Sequence, residues 1–141
     1  MARDFSLFGD EHVRKYEETG GKVGHAWNGT QVLILHAKGR VSGATHKVPL
    51  IYGRDGNDYL IVASRGGSHK HPGWYKNLLA HPEVTIQVWG EQLAVRARTA
   101  SPEEKARLWP IMTKEWPEYD QYQARTQRDI PLVVLSPVSA S

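Results

Sequence analysis

Three short glycine turns constrain this chain more than any other feature. Gly39-Arg40-Val41-Ser42-Gly43, Arg54-Asp55-Gly56-Asn57 and Trp89-Gly90-Glu91 each stand between two apolar runs of strand character, with no room for a helix in between. An Asp-Gly pair between such runs is a hairpin signal, because tight hairpin turns need the positive φ that glycine adopts at little steric cost. Strands are therefore expected at 31–36, 46–52, 58–63, 83–88, 92–97 and 130–135. Pro49 falls inside the second of these, which implies an edge strand or a bulge, since proline cannot donate to a ladder. Residues 83–88 alternate polar and apolar side chains, as a half-exposed strand does. Helices are expected at 9–18, at 72–80 with His81-Pro82 stopping it, from Ser101 to about Glu115, and at 118–126. The third of these carries its own start signal, with Ser101 as cap, Pro102 in the first turn and Glu104 completing a capping box.

Strands outnumber helices and most connections are short, so the fold class is α+β. It is a small barrel of about six to seven mostly antiparallel strands with helices packed outside. The regular strand–helix alternation of a doubly wound sheet is missing, and so is its Gly-x-Gly-x-x-Gly signature. We divide the chain into an N-terminal helix and link, 1–29, and one barrel domain, 30–141.

The chain contains no cysteine. Disulfides, thiolate catalysis and cysteine-ligated metals are thereby excluded, in keeping with a cytoplasmic setting. No apolar stretch approaches the ~20 residues of a membrane span, and Met1-Ala2-Arg3-Asp4-Phe5 lacks the apolar core of a secretory signal. The net charge of +3 is unevenly spread. Between His36 and Asn77 there are seven Lys or Arg against two acids, whereas 101–129 carries six acids against five bases. Such a bias is either a solvated face or a site for an anionic small molecule, and it is too slight to imply nucleic acid.

Residues 64–77 (Ser-Arg-Gly-Gly-Ser-His-Lys-His-Pro-Gly-Trp-Tyr-Lys-Asn) favour the second reading. A strand that ends in two glycines and basic residues, then starts a helix at Pro72, directs free N–H groups and the positive end of a helix dipole at its own loop. A phosphate or carboxylate is the expected ligand, with Trp74 and Tyr75 offering flat surfaces beside it. Arg40 and Arg65 can grip such groups in bidentate fashion, or be plain surface charge. Ser64 lies in no Gly-x-Ser-x-Gly elbow, so it reads as a hydrogen-bond donor or a structural serine and not as a nucleophile. His69 and His71 alternate in the loop, but no third ligand is near in sequence and no metal is expected.

The ordered set Gly39-Arg40-Val41-Ser42-Gly43, Pro49-Leu50, Asp55-Gly56, Ser64-Arg65-Gly66-Gly67, His71-Pro72-Gly73-Trp74-Tyr75-Lys76-Asn77-Leu78 and Arg128-Asp129-Ile130-Pro131-Leu132-Val133 resembles the deazaflavin-dependent nitroreductase family. These are split β-barrel oxidoreductases of actinobacteria that use reduced coenzyme F-420. The resemblance implies a split barrel and a coenzyme held by Arg40, Val41 and Ser42, and by His46, Lys47, Val48, Pro49, Leu50 and Ile51 of the next strand. Val62, Ala63, Ser64 and Arg65, then Gly73, Trp74, Tyr75, Lys76 and Asn77, and finally Tyr119 would complete that site. By the same resemblance Ser64, Tyr119 and Tyr122 serve catalysis, and 116–122 forms a wall of the substrate pocket. The chain departs from the family pattern at Val41, where Lys is common, at His46, where Arg is frequent, and at Trp116, where Tyr is frequent.

The implied reaction passes a hydride from the coenzyme to a quinone, a nitroaromatic or an activated enone. An FMN-dependent oxidoreductase on the same barrel and a non-enzymatic carrier of the coenzyme or a lipid stay open as alternatives. The protein is expected as a monomer or homodimer in the cytoplasm. Phe5, Leu7 and Phe8 give at most a weak peripheral contact with the inner face of a membrane.

Overall fold

The computed structural model describes residues 4–138, so the outermost ends of the two expected chain divisions, 1–3 and 139–141, lie outside the described residues. Along the chain come α1 (Gly9–Thr19), β1 (Ala26–Trp27), β2 (Thr30–Lys38), β3 (Thr45–Ile51), β4 (Gly53–Asp55) and β5 (Asp58–Val62). A single 3-10 turn, Arg65–Gly67, leads to α2 (Gly73–Ala80), β6 (Glu83–Val88) and β7 (Glu91–Thr99). The chain ends with α3 (Pro102–Glu115), α4 (Glu118–Ala124) and β8 (Leu132–Pro137).

Every strand pairing is antiparallel, and the order is β1-β2-β6-β7-β8-β5-β4, with β3 also paired to β2. β3 and β4 form one stretch of chain broken only at Tyr52. It pairs with β2 at one end of the path and with β5 at the other, which curls the sheet into a half-barrel. Pro49 lies opposite Ile34 on β3, and β3 has a partner on one side only, the edge position that proline tolerates.

Strand periodicity assigns each side chain to one of two faces. Leu33, Leu35 and Ala37 of β2, Tyr59 and Ile61 of β5, and Val133 and Leu135 of β8 fill the barrel. Their neighbours Leu60, Val62, Leu132 and Val134 face outward and are covered by Leu108 and Met112 of α3 and Trp116 and Tyr119 beyond it. Ile34 also faces outward and packs under Val13 and Tyr16 of α1. α3 lies so close to β4 that a Cβ on Gly53 would stand 2.8 Å from the Met112 sulfur.

Candidate active site

The end of β5 is pinned where the Ala63 N–H donates to Pro131 O at 2.9 Å. Beyond it the backbone turns sharply. Ser64 is right-handed (φ −81°, ψ −38°), while Arg65, Gly66 and Gly67 take φ of 47°, 62° and 84°. The two glycines adopt this cheaply, but Arg65 does so at a cost of about 1–3 kcal/mol, strain of a kind that gathers at functional sites. Gly67 has a second reason to be glycine, since a Cβ there would meet Tyr122 O of α4 at 2.8 Å. A right-handed residue followed by a left-handed one turns successive N–H groups toward one point, an anion-binding concavity. The Gly67 and Ser68 N–H groups are used within the turn, bonding Ser64 O and Arg65 O. Those of Arg65 and Gly66 have no acceptor among the described residues.

A groove of about 740 Å³ opens beside this turn. Ser64, Arg65 and Gly66 line one part of it, and His71, Pro72, Gly73, Trp74 and Lys76 line the next. Pro72 stands one residue before the helix, so α2 begins at Gly73 and not at the proline. The Tyr75 and Lys76 N–H groups already bond Pro72 O, whereas those of Gly73 and Trp74 have no acceptor among the described residues. One end of the groove thus combines an open helix terminus, a strained amide turn and the cations Arg65 and Lys76, an arrangement suited to phosphate or carboxylate.

The rest of the lining is aromatic and apolar. Trp27 stacks on Trp116 with centroids 5.7 Å apart, Phe5 meets Trp27 edge-on at 5.6 Å, and Pro49, Leu50, Ile51 and Val62 complete the floor. Tyr119 and Tyr122 meet edge to face, with ring centroids 6.1 Å apart and planes at 74°. The Tyr122 hydroxyl accepts from Trp116 Nε1 at 3.2 Å and keeps its own proton to donate. The Tyr119 and Ser64 hydroxyls make no hydrogen bond within the described residues, although both side chains are almost fully buried (5% and 9% exposed). Burial, reinforced by Tyr122 and Glu115, drives the Tyr119 phenol well above its usual value. It therefore stays protonated across the working pH range, a standing donor aimed at the groove.

Of the residues singled out in the sequence, the fold gathers Pro49, Leu50, Ile51, Val62, Ser64, Arg65, Gly73, Trp74, Lys76, Tyr119 and Tyr122 into this groove. Arg40, Val41, Ser42, His46 and Asn77 line a smaller hollow beside α2. There Asn77 Oδ1 accepts from the Arg40 N–H at 3.1 Å and from its Nη1 at 2.8 Å, and Arg40 Nη1 also reaches Gly73 O at 3.4 Å. The arginine is thus tied to the first turn of α2, while Val41 stands almost wholly in solvent. Lys47 pairs with Glu17 of α1 at 2.5 Å. Ala63 and Tyr75 point into the barrel core, and Val48 is half-buried on β3. Phe5, Trp27, Gly66, His71 and Pro72 also line the groove. Of these, Phe5 and Trp27 had no local signal, because they reach it from the distant N-terminal segment.

A family model described as F420H(2)-dependent quinone reductase matches residues 9–137. An F420H(2)-dependent quinone reductase of Mycobacterium tuberculosis is 42% identical over 129 residues, covering 89% of this chain and 87% of that protein. A solved structure of an F420-H2 dependent reductase superposes with a TM-score of 0.70 at 34% identity, over 74% of this chain and 93% of the other. Another, described as a domain-swapped dimer, gives a TM-score of 0.72 at 31% identity over 90% of this chain and 95% of the other.

Proposed function

Because the chain belongs to the F420H(2)-dependent quinone reductase family, we propose that the groove bounded by the 64–67 turn, α2 and α4 is where its coenzyme and a quinone meet. The protein is an oxidoreductase with the family's split-barrel fold, and its electron donor is reduced coenzyme F-420. The residues present suit that group, which is flat at one end and carries a phosphate and carboxylates at the other. The groove pairs an aromatic end (Trp27, Trp116, Tyr119) with a basic, amide-rich end (Arg65, Lys76 and the unbonded N–H groups of Arg65, Gly66, Gly73 and Trp74). That single match of polarity along one groove carries the reading. Arg40, beside the N-terminal turn of α2, extends the positive surface toward the coenzyme's acidic tail.

When bound, the coenzyme supplies a hydride; the protein orients and stabilises. A quinone that accepts a hydride develops negative charge on oxygen, so hydroxyl donors held at the groove favour the reaction. Ser64, Tyr119 and Tyr122 supply three. The raised pKa of Tyr119 makes it a hydrogen-bond donor in preference to a proton source, because burial disfavours its phenolate in that pocket. Trp27 and Trp116 exclude water from the apolar end, which strengthens those bonds. Nitroaromatics and activated enones develop charge on oxygen in the same way and fall within the same chemical reach.

A homodimer accords with the domain-swapped relative, and light scattering decides between it and a monomer. Among the described residues, no helix is long and apolar enough to cross a membrane. The functional test mixes the protein anaerobically with reduced coenzyme F-420 and menadione, with FMN in a parallel sample. Oxidation of the coenzyme that depends on both protein and quinone supports the proposal. No turnover across a quinone panel, or a preference for FMN, contradicts it.

A further inference from the structure

Arg128 lies in the link between α4 and β8 and does not line the groove, yet it holds the groove's polar end together. Its Nε donates to Ser68 O at 2.7 Å, its Nη2 to Ser64 O at 2.7 Å and Ala63 O at 3.2 Å, and its Nη1 reaches His71 Nδ1 at 3.1 Å. One guanidinium thus joins the end of β5, the strained turn and the segment entering α2. Its own backbone is anchored in turn, since Gln123 Nε2 donates to Arg128 O at 2.8 Å and Thr126 Oγ1 accepts its N–H at 3.3 Å.

Two consequences follow from elementary geometry. In a trans peptide the carbonyl and the next N–H point in opposite directions. Drawing Ser64 O toward Arg128 therefore turns the Arg65 N–H away from it. A guanidinium has donors and no acceptor, so His71 Nδ1 must be the acceptor and the ring proton must sit on Nε2. Nε2 has no partner among the described residues, and the ring lines the groove.

We propose that Arg128 is a positioning residue for coenzyme binding, which holds the 64–68 turn in its strained form and His71 as a neutral ring whose Nε2–H donates to a ligand oxygen. The inference rests on the groove being the coenzyme site. The surroundings of His71 agree with it. Arg128 from the α4–β8 link and Lys76 from α2 are cations facing the ring, Tyr75 packs on it at 4.9 Å, and burial first and these cations second lower its basicity. An imidazolium there would set N–H against N–H. Arg65, on the turn, adds to the positive surroundings of Arg128 itself. A neutral donor at this position gives the basic end of the groove a directional contact that does not fade as pH rises.

The test is nitrogen NMR of the histidine rings of the full chain, with His71 assigned by a His71→Gln variant, joined to coenzyme titrations followed by tryptophan quenching. The expected result at neutral pH is an Nε2–H tautomer for His71 that protonates below the ordinary histidine value and whose Nε2–H signal moves on coenzyme binding. Arg128→Met should mix the tautomers and weaken the coenzyme about tenfold or more, the scale of a displaced binding group. His71→Phe should weaken it without altering the melting temperature greatly, and it keeps the test alive should Arg128→Met fail to fold. An Nδ1–H or imidazolium form at neutral pH, or a His71→Phe protein that binds like wild type, overturns the inference. Wild-type protein that binds no coenzyme overturns instead the reading on which it rests.

Discussion

Tyr119 carries the sharpest prediction at the scale of single residues. Its hydroxyl has no protein partner among the described residues, and burial keeps it protonated. Tyr119→Phe should leave coenzyme affinity near wild type and lower kcat by about 100-fold, the effect of one donor removed from developing charge. Stopped-flow measurement of coenzyme oxidation separates the two effects, and a loss confined to affinity would reassign the tyrosine to binding. Asn77 makes a different case. It is buried and accepts two bonds from Arg40, so Asn77→Ala should release the arginine and weaken the coenzyme by about 1–2 kcal/mol, visible in an equilibrium titration. Much of the groove was legible from Ser64, Arg65, Trp74 and Lys76, because strand ends, glycine turns and helix starts are local features. Arg128 and Trp27 were not. Each reaches the site across a long stretch of intervening chain, and nothing nearby in sequence marks that contact.

Helix α3 shows how far local chemistry determines an element. The capping box formed as expected, with Glu104 N–H donating to Ser101 Oγ and the Ser101 N–H donating to Glu104 Oε1, both at 3.2 Å. Arg98 of β7 adds a two-pronged contact to the same carboxylate at 2.6 and 2.8 Å. The Arg98 guanidinium first, and the Ser101 N–H second, hold the Glu104 carboxyl down at about 2, below its ordinary 4.5. A carboxylate with a lowered folded value contributes stability above its unfolded value and loses it as pH falls through the folded one. The first turn of α3 should therefore lose amide protection between about pH 4.5 and pH 2, as hydrogen exchange by NMR would register. Ser101→Ala should cost about 1 kcal/mol in denaturant unfolding. Tertiary contacts decide other boundaries. β6 matches its sequence pattern end to end, but β8 begins two residues later than its apolar run, at Leu132. Pro131 has no N–H to give to the ladder, so only its carbonyl, which accepts from the Ala63 N–H, takes part in the approach to the strand. β1 is only two residues long, and its pairing with β2 left no periodicity to read.

Across the whole molecule, one curled sheet separates two apolar layers, and the groove lies where the ends of β3 and β5 meet α2 and α4. The sheet's class was legible because glycine turns forbid crossovers. How the expected barrel closes was not, since the bend at Tyr52 that lets one stretch of chain serve both ends has no distinct sequence mark. Burial lowers the basicity of His25, His36 and His71, three rings distributed over the fold. Above about pH 6.5 both folded and unfolded chains keep them neutral; below it the unfolded chain binds protons that the folded one refuses. Stability should therefore decline as pH falls below that point, and a series of thermal melts from neutral to mildly acid pH would reveal it. That the coenzyme lies with its acidic end against the 64–67 turn and α2 can be checked by titrating coenzyme F-420 into wild type, Arg65→Gln, Lys76→Gln and, as a control, Arg96→Gln. Saturable binding that weakens in the first two variants and not in the control is the predicted result. Equal affinity in all four proteins would contradict it.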